Sequence, residues 1–266
     1  MFSEIAQYFR VEALPHMWCP GCGNGTVTAA LVRAIKALQL DQNKVVVVSG
    51  IGCSSRMPGY LDFNTLHTTH GRALAFATGI KASKPELDVF VIMGDGDSTA
   101  IGGNHFIHAA RRNIDLNAII INNNIYGMTG GQSSPLTPHG KIATTAPYGN
   151  LERPFDIMAL AKAAGATYGA RATAYHNQML TKLIINAYHN SGFSVVEAVA
   201  QCPISYGRRN KMKTPADMLR WQKEHAITAD KKHTSDEDFV IGEIFKSEAP
   251  EFTAQYSAMR RRLREG

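Results

Sequence analysis

No stretch of this 266-residue sequence approaches the ~18 consecutive apolar residues that a membrane span needs. Its opening residues, MFSEIAQYFRVEALPHMWCPGCG, contain no apolar h-region either. Membrane insertion and export are therefore not expected, and the cytoplasm is the expected compartment. Internal repeats and low-complexity linkers are missing, which argues against a solenoid or a beaded multidomain chain. Charged residues are few, at 19%, yet they leave an excess of +6. The excess collects in two runs: Arg208, Arg209, Lys211 and Lys213, then Arg260, Arg261, Arg262 and Arg264. Neither run carries a helix-turn-helix, zinc-finger or RNA-binding aromatic pattern, so nucleic acid is not an expected partner. A solvated or partner-facing tail, with anionic small molecules nearby, is the expected use.

Cysteine is scarce: Cys19, Cys22, Cys53 and Cys202 are the full set. A cytosolic setting disfavours structural disulfides, and scattered cysteines ordinarily serve as small buried hydrophobes. That explanation suits one or two of the four. It suits Cys19-Pro20-Gly21-Cys22 poorly, because C-x-x-C is the bite that brings two thiolates to one metal centre. No second set such as C-x₂-C-x₂-C is present, so the chain has no ferredoxin-like wire of its own.

What is present is an ordinary core-forming composition, 44% apolar. Helical periodicity runs through 26–40, with Val27, Ala30, Leu31, Ala34, Ile35 and Leu38 on one face. Further helices are predicted over 71–83, 98–112, 155–164 and 178–188, the second of these weakened by Gly102-Gly103. Short apolar runs at 44–49, 88–93, 117–121 and 193–199 read as strands buried on both faces. Strands alternating with helices predict an α/β fold, a parallel sheet with helices on both faces. Ligands sit beyond the carboxyl ends of such strands. The unusual clusters GIGCSSR, GDGD, NNNIYGMTGGQ and QCP all fall there. From about Ser205 the chain turns polar and basic with no further strand expected. This gives a domain over 1–204 and an extended arm over 205–266 that packs on another subunit.

Gly94-Asp95-Gly96, followed after 25 intervening residues by Asn122-Asn123, is the most specific feature. A diphosphate in a protein interior needs a divalent cation, and Mg²⁺ takes oxygen ligands in an octahedron. Asp95 supplies a carboxylate at one strand end, Asn123 an amide oxygen at the next, and Ile125 a main-chain carbonyl. Gly94 and Gly96 let the backbone approach the phosphate, and a helix start after Asp97 adds N–H groups. Two thiolates from C-x-x-C and two from strand-end loops make a four-thiolate site. Spacing alone leaves open whether it holds an iron–sulphur cluster or structural zinc.

The spaced GDG…NN elements are similar to the thiamine-diphosphate motif. The string GDGDSTAIGGNHFIHAARRNIDLNAIIINNNIYGMTGGQSSPLTP resembles the β subunit of 2-oxoacid:ferredoxin oxidoreductases. The likeness runs from HMWCPGCGNG through GIGCSSR, LHTTHGRALAFATGIK and TGGQ to QCP, about three quarters of the chain. The resemblance implies a thiamine-diphosphate-binding fold and a [4Fe–4S] cluster on Cys19, Cys22, Cys53 and Cys202. It places Ile51, Gly52, Cys53, Ser54, His70, Gly94, Gly96, Asp97, Tyr126, Gly127, Met128 and Thr129 around the cofactor, with Asp95, Asn123 and Ile125 on Mg²⁺. Arg56 maps where members often have lysine against the 2-oxo acid, and arginine there favours a dicarboxylic substrate. His70 maps onto a histidine touching the cofactor. His67 is expected in a structural hydrogen bond, and His105 and His108 as packing residues.

The activity so implied is oxidative decarboxylation of a 2-oxo acid with coenzyme A to acyl-CoA and CO₂. Electrons leave through the cluster to ferredoxin, and the reverse reaction fixes CO₂. Family members draw a cofactor-binding glutamate from an α subunit, which implies an αβ or (αβ)₂ enzyme whose β chain is inactive alone. TGGQSSPLTP and LHTTHGR look most like the 2-oxoglutarate-using members; pyruvate and branched-chain 2-oxo acids are the alternatives. Two other classes remain open at this stage: half of a non-redox thiamine-dependent carboligase or decarboxylase, and a zinc-stabilised binding module.

Overall fold

The computed structural model describes residues 4–265. The chain runs α1 (Asn24–Ala37), β1 (Val45–Ser49), β2 (Asn64–His67), α2 (Ala73–Ser83), β3 (Asp88–Gly94), α3 (Asp95–Thr99), α4 (Gly103–Arg112) and β4 (Asn117–Asn122). After a long loop come α5 (Ile157–Ala164), β5 (Tyr168–Thr173), α6 (Asn177–Tyr188) and β6 (Ser194–Val199). The chain closes with α7 (Pro215–His225), β7 (Ala226–Thr228), β8 (Phe239–Lys246) and α8 (Phe252–Glu265).

Alternation of side chains along the central strands builds two cores. Val45, Val47, Phe90, Ile92, Ile119 and Ile121 enter one layer with Leu31 and Ile35 of α1 and Leu180 and Ile184 of α6. Val46, Val48, Val89, Val91, Ala118 and Ile120 enter the other, against α2, α4 and α5 through Leu74, Phe106 and Ile157. Both faces are covered, so these strands read as continuous apolar runs.

The eight strands lie in the order β2-β1-β3-β4-β6-β5-β8-β7. Pairings from β2 through β5 are parallel, β8 joins β5 antiparallel, and β7 lies parallel to β8. From β1 the chain first goes outward to β2 and then returns past β1 to β3. The sheet therefore reverses its winding between β1 and β3, and such a reversal opens a crevice at the carboxyl ends.

Three expectations need correction. The helix predicted over 98–112 is broken after Thr99 and resumes at Gly103. A Cβ on Gly102 would stand 2.2 Å from the Asp97 carbonyl, so the break is a close backbone approach that only glycine permits. Helix α3 begins at Asp95, with Gly94 as N-cap, rather than after Asp97. The segment after Ser205 contains two strands where none was expected, and β8 extends the main sheet. Its basic residues stay at the surface: Arg208, Lys211, Lys213 and Arg260, Arg261, Arg262 and Arg264 are all exposed. Among the described residues no helix is long and apolar enough to cross a membrane.

Candidate active site

Three strand ends and the turn before α2 meet at the crevice. From β1 come Ile51, Gly52, Cys53 and Ser54; the turn before α2 gives His70. The end of β3 gives Gly94, Asp95, Gly96 and Asp97. Asn123 and the run Ile125, Tyr126, Gly127, Met128 and Thr129 follow β4. Together they line one cleft with about 610 Å³ of space open to solvent.

Asp95 is buried at its floor, and burial pushes its carboxyl up to about 7. Hydrogen bonds from Ser134 and from the backbone of Gly96, Asp95 and Ile125 pull the other way. The Ser134 hydroxyl donates to Asp95 Oδ2 at 2.5 Å. Asn123 Oδ1 lines the same cleft, is buried, and has no hydrogen-bond partner. A buried amide oxygen left unpaired costs on the order of 1–3 kcal/mol. Beside a buried carboxylate, that atom has the chemistry of a waiting cation ligand.

Asp97 does something different from its neighbour. Its Oδ1 accepts from the backbone N–H groups of Gly71 at 2.7 Å and Ile51 at 3.3 Å and lies 2.6 Å from His70 Nδ1. Burial raises its carboxyl. With Nδ1–H donating to Asp97, Nε2 is the ring nitrogen left free for the cleft. Space for Asp97 depends on Gly50, where a Cβ would stand 2.0 Å from Oδ2. At Gly96 a Cβ would meet the Tyr126 ring at 2.1 Å. The Tyr126 hydroxyl donates to the Gly96 carbonyl at 3.3 Å, and its ring meets His70 edge-on with centroids 6.2 Å apart.

The four cysteines come from three separate places in the sequence, the Cys19–Cys22 turn, the loop after β1 and the end of β6, yet gather at one edge of this cleft. Cys22 feels the charge of the other three, Cys53 that of Cys202 and Cys19, and Cys202 that of Cys19. Burial pushes the thiols of Cys22 up to about 12 and Cys53 up to about 11, and the neighbouring thiols add to both shifts. Burial raises Cys202 as well. A Cβ on Gly127 would lie 3.4 Å from Cys202 Sγ and 3.7 Å from Cys53 Sγ, so the cleft and the thiol group share a wall. Trp18 Nε1 donates to the Cys53 carbonyl at 2.6 Å. Among the described residues no group of three or more His, Cys, Asp or Glu side chains is arranged to hold a single metal ion. One zinc ion needs its thiolates within about 2.3 Å of a single point.

The remaining expected residues sit elsewhere. Arg56 is exposed on the turn Ser54–Tyr60 and is not among the cleft-lining side chains. His67 Nδ1 lies 2.9 Å from the Ser49 hydroxyl, the hydrogen bond expected of it. His105 and His108 are half-buried on α4 and face Arg72 and Arg111 rather than the core. Ser134 was not foreseen; neither was Thr137, whose hydroxyl donates to the Asn124 carbonyl at 2.6 Å. Both lie in SSPLT, a segment of the resembling string whose only available signal was that likeness.

Comparison with known proteins converges on this region. The family described as thiamine pyrophosphate enzyme, C-terminal TPP binding domain, matches residues 50–198. The 2-oxoglutarate synthase subunit KorB of Archaeoglobus fulgidus is 54% identical over 267 residues, covering 100% of this chain and 98% of that protein. Its namesake from Methanocaldococcus jannaschii is 51% identical, covering 97% of each. Among solved structures, the 2-oxoglutarate:ferredoxin oxidoreductase of Magnetococcus marinus, with 2-oxoglutarate, coenzyme A and succinyl-CoA bound, superposes with a TM-score of 0.86. That match has 36% identity and covers 97% of this chain and 90% of that one.

Proposed function

Because this chain belongs to the KorB family of 2-oxoglutarate synthase subunits, within the thiamine pyrophosphate enzymes, we propose that it is the cofactor-bearing subunit of a 2-oxoglutarate:ferredoxin oxidoreductase. The reaction joins 2-oxoglutarate and coenzyme A to give succinyl-CoA and CO₂, and two electrons pass to ferredoxin. Thiamine diphosphate supplies the electron sink for losing CO₂, and a [4Fe–4S] cluster supplies a one-electron acceptor beside it.

This chain's residues hold and orient. Asp95, Asn123 Oδ1 and the Ile125 carbonyl hold Mg²⁺, which neutralises the diphosphate. The unpartnered state of Asn123 Oδ1 and the burial of Asp95 support that assignment. Gly94 and Gly96 bring backbone close to the phosphate. His70, oriented by Asp97, offers Nε2 to the reacting end of the cleft and can hold or move a proton there. Cys19, Cys22, Cys53 and Cys202 would hold the cluster, and metal binding would deprotonate Cys22, Cys53 and Cys202, which burial otherwise keeps neutral. Arg56, outside the cleft lining, is our candidate for gripping a substrate carboxylate from the rim. An α subunit completes the site, and ferredoxin is the acceptor.

The observation that carries this reading is the shared wall. Cys53 and Gly127 line the cofactor cleft, and the Gly127 Cβ position touches two of the four sulphurs. An electron acceptor there lies beside the atoms that become electron-rich. A zinc ion there has no such use. The test is the αβ complex purified without oxygen. We expect on the order of four irons and four sulphides per chain, a broad absorption near ~400 nm that 2-oxoglutarate and coenzyme A bleach, and faster turnover with 2-oxoglutarate than with pyruvate or 2-oxoisovalerate. A colourless, zinc-containing complex would sink the redox reading, and a preference for pyruvate would sink the substrate.

A further inference from the structure

Asn123 is held between two residues whose side chains and backbone are tied down, and the tie leads away from the cleft. Asn122 Oδ1 accepts the Asn124 N–H at 3.0 Å, which clamps the backbone across Asn123. Asn124 sits at φ +62°, in the left-handed region that asparagine tolerates better than most non-glycine residues. Its carbonyl is fixed in turn by the Thr137 hydroxyl. Asn122 Nδ2 donates to Glu197 Oε1 on β6 at 2.8 Å. Glu197 is 3% exposed, and its other oxygen, Oε2, accepts from Arg171 Nε on β5 at 2.6 Å. Arg171 continues to the Val240 carbonyl on β8 and to Asp156, the N-cap of α5.

A buried ion pair is weak evidence for stability, since desolvation offsets most of the attraction. In a sheet whose strands are otherwise apolar at these positions, Arg171 and Glu197 stand directly opposite each other, and an apolar pair would staple β5 to β6 as well. What an apolar pair cannot do is accept a hydrogen bond from Asn122. With that bond Asn122 has one orientation, its Oδ1 turned to the Asn124 N–H. Without it the amide is free to rotate, and the turn that aims Asn123 loosens.

We propose that Glu197 and Asn122 are positioning residues for the cation site: Glu197, locked by Arg171, fixes Asn122, and Asn122 fixes the turn that aims Asn123 Oδ1 into the cleft. The inference rests on the proposed function, because it takes Asn123 to be a Mg²⁺ ligand. It assigns a role to residues that touch neither cation nor cofactor. Outer-shell partners of metal ligands typically change metal affinity by roughly 10- to 100-fold when removed.

The experiment measures thiamine diphosphate binding to the αβ complex by equilibrium dialysis at a series of Mg²⁺ concentrations, for wild type, Glu197→Gln, Asn122→Ala and the double variant. Expected is a rise of at least roughly tenfold in the Mg²⁺ concentration giving half-saturation, with full stoichiometry regained at high Mg²⁺ and iron content unchanged. The double variant should be no worse than the poorer single, because both changes cut one chain of contacts. Asn122→Ala leaves the Arg171–Glu197 pair intact, so it reads the link even if Glu197→Gln fails to assemble. Variants whose melting temperature falls while the Mg²⁺ half-saturation stays within about twofold of wild type overturn the inference alone. Wild-type complex that binds thiamine diphosphate with no dependence on Mg²⁺ overturns the cation assignment beneath it as well.

Discussion

At the scale of single residues, two carboxylates one glycine apart have different work. Asp95 and Asp97 are both buried, and burial raises both. Asp97 is already committed to His70 and to two backbone N–H groups. Asp95 accepts from the Ser134 hydroxyl and from nearby backbone N–H groups, and shares the cleft with an unpaired amide oxygen. Replacing Asp95 with alanine should therefore abolish Mg²⁺-dependent thiamine diphosphate binding. We expect a loss beyond the roughly 100-fold that outer-shell changes reach, with an unchanged far-ultraviolet dichroism spectrum. Unaltered cofactor affinity in that variant would refute the Mg²⁺ assignment. Gly96→Ala tests the steric side of the site. Its methyl group would stand 2.1 Å from the Tyr126 ring, so ring or backbone must move. We expect weaker cofactor binding in Gly96→Ala and partial recovery when Tyr126→Ala is added; binding in the single variant equal to wild type would show that the cleft absorbs the clash.

At the scale of elements, the sheet's middle was readable and its margins were not. Strands β1, β3, β4 and β6 are buried on both faces, so their apolar runs stand out in the sequence. Strand β5, YGARAT, hides because Gly169 lies under the Phe245 ring and Arg171 is spent on Glu197. Strand β8 is half-exposed, shifts register opposite Gly169 and Ala170, and follows a long polar stretch, so it reads as tail. The cleft residues were legible because strand ends concentrate them in short motifs. Ser134, Glu197 and Arg171 were not, because their partners lie far off in sequence and only tertiary packing introduces them. If β8 belongs to the sheet as it lies here, Phe245→Ala leaves an open groove over Gly169. That should cost about 3 kcal/mol, read as a lower urea midpoint. A change under about 0.5 kcal/mol would mean that the segment after Ser205 folds independently of the sheet.

For the whole molecule, one rim of the sheet collects the residues proposed to hold cofactor, cation and cluster, and one group is still wanting. Activating the cofactor's aminopyrimidine ring takes a carboxylate at one of its nitrogens, and family resemblance assigns that group to a partner. The cleft agrees in a specific way. Among the described residues lining it, Asp95 and Asp97 are the carboxylates, and both are engaged, Asp95 with Ser134 and Asp97 with His70. The cleft is also open to solvent, whereas an electron-rich centre next to an iron–sulphur cluster has to be shielded from water and oxygen. Both shortfalls are met if a second subunit closes the opening and brings its own carboxylate. The chain produced alone should therefore bind the proposed cluster, since all four sulphurs are its own. It should show no 2-oxoglutarate-dependent reduction of a viologen dye, and mixing with the α subunit should restore it. Cys202→Ser should remove that cluster from the isolated chain and from the complex alike. If the chain by itself reduces the dye, the carboxylate lies within it, and the division of labour between subunits has been drawn in the wrong place.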